Sequence, residues 1–159
     1  MIKTDAQLER THKSIDSFKR KIREAQEIED SLARDLATAS YQGMITMLEL
    51  EIERYENAKK GIVRMPASIS SILDLCPFLT DIRIALGWTQ ERLGSQLSIS
   101  RQAVNQMEEH EYRNIDVERL QQILEVLGLK PQIFVQHNAI RLIQPGDDNY
   151  LKSSVAIPA

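Results

Sequence analysis

A single cysteine, Cys76, stands among 159 residues, so the chain can form neither an intramolecular disulfide nor a cysteine-based zinc site. Set between Leu75 and Pro77, it reads as a small packed hydrophobe rather than a nucleophile. Aromatic residues make up only 5% of the chain against 42% hydrophobic residues overall, which predicts a core of Leu, Ile and Met carried on helices. No apolar run reaches membrane-spanning length and no signal-peptide pattern is present, so a soluble, cytoplasmic protein with no membrane partner is expected. The three histidines, His12, His110 and His137, are too scattered for a metal-ligand pattern and read as surface residues. Asp147–Asp148 lacks the spacing of a calcium loop. There is no glycine-rich phosphate loop and no Ser-His-Asp or Cys-His set, so neither an enzyme nor a cofactor or metal is expected. The net charge of -3 also lacks the basic excess usual in a nucleic-acid binder. Net charge is a weak test, because binding depends on where the positive groups sit.

What is present begins with a long charged segment. Between Thr4 and Lys60 there is one glycine and no proline. Leu8, Ile15 and Ile22 recur every seven residues with Thr11, Phe18 and Ala25 interleaved, the seam of a coiled-coil-like helix. Glu29 breaks the stripe, and Ile45, Leu48, Ile52 and Tyr55 form a second one. The simplest reading is an antiparallel hairpin of helices at about 4–28 and 31–60, capped by Thr4 or Asp5 and by Asp30 or Ser31. A break near Thr38–Gly43, where small residues cluster, is the alternative. Opposite charges alternate on both helices, as expected of solvated outer faces.

Gly61 suits the end of the hairpin, and Pro66 and Pro77 bracket a linker with room for a short helix at Ser68–Leu75. A compact four-helix unit follows over Pro77–Gly128. Its centre, Thr89 to Glu108, reads TQERLGSQLSISRQAVNQME, a helix-turn-helix. Gly94 supplies the small residue where the second helix crosses the first. Leu93, Leu97, Ile99, Val104 and Met107 fall where apolar anchors are needed. Ser100 caps the second helix, which turns Arg101, Gln102, Asn105 and Gln106 outward, side chains suited to base edges in a major groove. Trp88 reads as a packed aromatic at the helix junction. Asp116 caps a last helix whose Val117, Leu120, Ile123, Leu124 and Leu127 form one apolar stripe. Gln132–Gln136 and Ala139–Ile143 read as two short strands, and 145–159 as a flexible tail. The organisation expected is therefore a hairpin at 1–61, a linker at 62–76, the helix-turn-helix domain at 77–130, strands at 131–144 and the tail.

The stretch from about 77 to 128 resembles the Xre-type helix-turn-helix family, the Cro and phage-repressor fold. The likeness lies in the G-x-T-Q start of the first motif helix, the S-R-Q-A-V recognition helix and the L-x-x-I-L-x-x-L-G close. The N-terminal segment is similar to the helical hairpin of some HigA-like antitoxins. The resemblance implies a mainly α protein, a helical hairpin followed by a lambda-repressor-like DNA-binding domain, with a short C-terminal β-strand or hairpin. It assigns Gln90 and Ser100 to phosphate contact, Ser100 also serving as a cap. Arg101 and Gln102 go to base edges, and Asn105 and Gln106 to bases or backbone. Arg113 and Asn114 would touch phosphate from the following loop, and Arg83 with Glu108 would form a structural ion pair. In many relatives a strand after the last helix pairs across a dimer, a role open to Gln132–Gln136. Two departures stand out. The turn carries Ser98 where the family usually has Gly, at a cost of order 1 kcal/mol if φ is positive. Glu108, Glu109 and Glu111 crowd the end of the recognition helix.

The function implied is a bacterial or phage-encoded transcriptional regulator. It would bind double-stranded DNA as a homodimer on a palindromic operator and most simply repress its own gene. The hairpin and the C-terminal strands are competing dimer surfaces. Two other readings stand beside it: an antitoxin that represses its operon and binds a toxin protein, and a protein-interaction scaffold that has lost DNA binding.

Overall fold

The computed structural model describes residues 1–66, 69 and 71–131. Among them lie six α-helices: α1 (Asp5–Ala25), α2 (Ser31–Lys59), α3 (Leu79–Ala85), α4 (Gln90–Gln96), α5 (Arg101–Glu109) and α6 (Val117–Val126). Short 3-10 turns at Ile72–Asp74 and Cys76–Phe78 lead into α3. No strand occurs among the described residues. The two expected strands and the tail lie outside them, and so does most of the start of the expected helix at Ser68–Leu75.

Side-chain caps fix the helix starts. The Thr4 hydroxyl accepts from the Gln7 amide at 3.3 Å, and the Asp30 carboxylate accepts from the Leu32 and Ala33 amides at 2.8 and 3.1 Å. Thr89, Ser100 and Asp116 do the same for α4, α5 and α6. Each satisfies an amide that the helix itself leaves without a partner.

The hairpin reverses between Ala25 and Ser31, where the Glu29 break in the heptad stripe predicts it. The alternative near Thr38–Gly43 fails: α2 runs unbroken through those residues. Ile15 and Ala25 on α1 and Ile45 and Tyr55 on α2 are buried. Phe18 and Tyr41 stack across the pair with ring centroids 5.9 Å apart.

The second core is built by α3 to α6 and the preceding 3-10 turns. It contains Cys76, Leu79, Leu93, Leu97, Val104, Tyr112, Leu120, Ile123, Leu124 and Leu127. Cys76 is wholly enclosed, and burial pushes its thiol up from the ordinary range, as suits a packing residue. Ile99, Met107 and Trp88 pack against this core while half-buried, and the Arg92 guanidinium lies 4.3 Å over the Trp88 ring. Val117 departs from the expected apolar stripe. At 79% exposure in the first turn of α6, it meets none of the core.

A third, smaller cluster joins the two units. Ile2, Tyr55 and Ala58 from the hairpin close on Ile84 of α3, with Leu8 and Ile52 beside them. Arg54 of α2 reaches across to Asp81, 2.7 Å from Nη2 to Oδ2, and to the Pro77 carbonyl at 2.9 Å. Asp81 is buried and its Oδ1 has no hydrogen-bond partner among the described residues. Burial accordingly pushes its carboxyl up, with Arg54 pulling the other way.

Candidate nucleic-acid interface

The crossing of α4 and α5 is set by Gly94. A Cβ at this position would stand 2.7 Å from the Ile99 carbonyl oxygen and 3.4 Å from a Val104 methyl, so no side chain fits without opening the turn. The Ile99 amide donates to the Gly94 carbonyl at 2.9 Å, closing the turn between the same two residues. Ser98 sits in the turn at φ 55, the left-handed region that glycine enters more cheaply. The serine therefore carries the backbone strain of the turn.

The recognition helix α5 is anchored on its inner side by Val104, fully buried, and by Met107. Its outer face is open at Arg101, Gln102 and Gln106. Ser100 Oγ is committed to the cap, accepting from the Ala103 amide at 3.1 Å. Asn105 is half-buried and bonded at both ends of its amide: Oδ1 accepts from Gln90 at 3.2 Å and Nδ2 donates to Glu109 at 2.7 Å. Arg113 and Asn114 are exposed in the loop beyond, where Arg113 Nε lies 3.3 Å from Glu111. Glu111 and Tyr112 both take left-handed backbone, φ 50 and 56, which turns the chain sharply after α5.

Beneath this face lies a buried polar network. Arg83 donates to both carboxylate oxygens of Glu108, a bidentate pair with both side chains almost wholly enclosed. Glu108 also accepts from Gln90 at 2.7 Å and from the Tyr112 hydroxyl at 3.3 Å. Arg83 spends its other donors on the Trp88 carbonyl and, at 3.2 Å, on the Lys3 carbonyl. The charges are thus paired and hydrogen-bonded, the condition for tolerating them in a core. Burial pushes the Tyr112 phenol upward, and the neighbouring Glu108 adds to the rise. Burial pulls the Lys3 ammonium down, opposed by Glu108 and Glu109.

The expected ion pair Arg83–Glu108 is therefore present. Gln90 differs from its expected place. It is only 3% exposed, and its amide nitrogen donates to Asn105 and Glu108, leaving just an acceptor oxygen, which does not suit a phosphate. In this structure Gln90 is a strut between α4 and α5. Two participants have no signal in the sequence. Tyr112 follows a polar stretch that reads as loop, and Lys3 precedes the first helix. Tyr112 reaches Glu108 from four residues on, through the left-handed turn after α5, whereas only tertiary packing brings the Lys3 carbonyl to Arg83.

Residues 79–134 match the family model described as helix-turn-helix. No curated protein and no solved structure matches the chain. Among the described residues, no helix is long and apolar enough to cross a membrane. The match falls on α3 to α6, the Gly94 crossing and the Arg83–Glu108 pair, and the segment is an Xre/Cro-like helix-turn-helix domain, of the kind that serves DNA-binding transcription regulators.

Proposed function

We propose that this protein is a sequence-specific regulator of transcription that binds double-stranded DNA as a homodimer on a palindromic operator and represses its own gene. The observation that carries this reading is the open face of α5. Arg101, Gln102 and Gln106 project from a helix whose opposite side is locked into a complete core. Arginine matches guanine O6 and N7, and glutamine matches adenine N6 and N7. Two exposed acidic neighbours of this face hold arginines that phosphate could compete for: Glu91 lies 3.9 Å from Arg101 and Glu111 3.3 Å from Arg113. Such exposed pairs are worth little and exchange readily. Arg113 and Asn114 would then meet the backbone, and Ser100 would orient the helix start.

One small domain makes few contacts, so two copies on half-sites about one DNA turn apart are needed for tight binding. The hairpin offers a surface for a second copy. Leu36, Met47 and Leu50 are 70%, 71% and 60% exposed on α2. At about 100° per residue they lie roughly opposite Ile45, which faces α1. Ala33, Ser40 and Gly43 alternate with them at three- and four-residue steps, so large and small side chains could interdigitate across a two-fold axis.

The test is a salt-dependent shift assay with DNA from upstream of the protein's own gene. Retardation that weakens with salt is expected, with loss of sequence preference in Arg101→Ala and Gln102→Ala. An absence of binding at low salt would instead favour the scaffold reading. Copurification of a small neighbouring protein seated on α2 would favour the antitoxin reading over self-association.

A further inference from the structure

Between the start of α1 and the recognition helix runs a groove of about 410 Å³. Ala6, Gln7 and Arg10 line one wall, and Arg101, Gln102 and Asn105 line the other. The hairpin thus places its first turns directly beside the open face of α5. The wall is fixed in place: the Lys3 carbonyl is held by Arg83, and Gln7 Oε1 accepts from the Lys3 amide at 2.8 Å. Of the α1 side chains there, Arg10 alone is cationic. It is exposed, forms no ion pair among the described residues, and uses only Nε locally, donating to the Ala6 carbonyl at 3.2 Å. Its Nη groups remain for an anion.

The geometry points to Arg10 as a phosphate-contacting residue, so that the first turns of α1 form a second wall of the DNA-binding cleft and one phosphodiester strand lies between Arg10 and Arg101. The inference rests on the DNA-binding reading above and adds to it a contact from outside the helix-turn-helix. Ala6, between Gln7 and Thr4 on the groove wall, adds only a methyl group, and a phosphate lying between the two walls would be attracted by both guanidinium charges. A contact of this kind positions the duplex and carries no sequence information.

The experiment compares the full chain with Arg10→Ala, Arg20→Ala and Arg101→Ala on a mixed-sequence DNA duplex over a range of salt concentrations. Arg20 is also an exposed arginine of α1, about 15 Å further along the helix, and serves as a control for net charge. For Arg10→Ala, affinity is expected to fall about threefold to tenfold, and the slope of log K against log salt to flatten by about 0.9. Arg20→Ala should bind as the parent does. Equal losses in Arg10→Ala and Arg20→Ala would reduce the effect to general charge and overturn the proposal. Parental or tighter binding by Arg10→Ala overturns it too, the tighter result showing that the hairpin wall obstructs DNA. In those cases a loss in Arg101→Ala keeps the DNA-binding reading intact. Failure of the parent itself to bind at low salt removes both.

Discussion

Glu108 has the most demanding position of any single residue. Its carboxylate accepts from Arg83 twice, from Gln90 and from Tyr112, and those donors come from α3, α4 and the loop after α5. In Glu108→Ala the Arg83 guanidinium stays buried with no counter-charge. The expected loss is about 3–5 kcal/mol, read as a drop in the denaturant midpoint. Glu108→Gln keeps an acceptor and should lose less. Gly94 and Ser98 show what a residue-level reading can reach: the crossing contact and the positive φ are local consequences of the turn, so composition at those positions foretells them. The occupation of Gln90 is not local. Whether its amide is free depends on Asn105 and Glu108, fifteen and eighteen residues away, and no spacing rule reports that.

The elements were legible to different degrees. Helix starts lay within a residue or so of their caps, because a cap is a contact between near neighbours. The hairpin reversal followed from Glu29, whose carboxylate at a seam position would have been buried without a partner. The α1 wall beside α5 had no such trace, since Arg10 and Ala6 fall on a face that reads simply as solvated. On α2 the seam of Ile45, Leu48, Ile52 and Tyr55 was legible, and Ile45 and Tyr55 are buried. The second apolar face, at Leu36, Met47 and Leu50, had no reading in the sequence, and the packing of α1 leaves it open. If the open face joins two copies, Leu36→Glu with Met47→Glu should leave the helix content unchanged and convert a dimer to a monomer in sedimentation equilibrium. DNA affinity should fall with it. A double variant that remains dimeric would move the interface away from α2.

At the scale of the whole molecule, two buried phenols bind the stability to alkaline pH. The Tyr55 hydroxyl donates to Asp5 at 3.1 Å within the cluster that joins hairpin to domain. Burial, with that bond, raises its pKa from 10.0 to about 12. Tyr112, in the domain core, is shifted in the same direction by burial. A folded-state pKa above the unfolded value means that the native state holds the proton more firmly. The stabilisation is therefore complete below pH 10 and declines as pH rises through about 12. Denaturant titrations at increasing pH should show unfolding free energy falling from about pH 10 upward. The fall should be shallower in Tyr55→Phe. Phenols that all ionise near 10 with no loss of helicity would contradict the arrangement.

The junction of Ile2, Tyr55, Ala58 and Ile84, locked by Arg54–Asp81 and by Arg83 on the Lys3 carbonyl, leaves the recognition helix little freedom to pivot on the hairpin. In a dimer held through α2, that rigidity makes the hairpin a measuring rod. The separation and the rotational phase of the two half-sites would be dictated by the helix pair, with no slack for the protein to adapt. An operator whose spacer is lengthened by about five base pairs, roughly half a turn of B-DNA, would present its second half-site on the wrong side of the duplex and be bound as a single half-site.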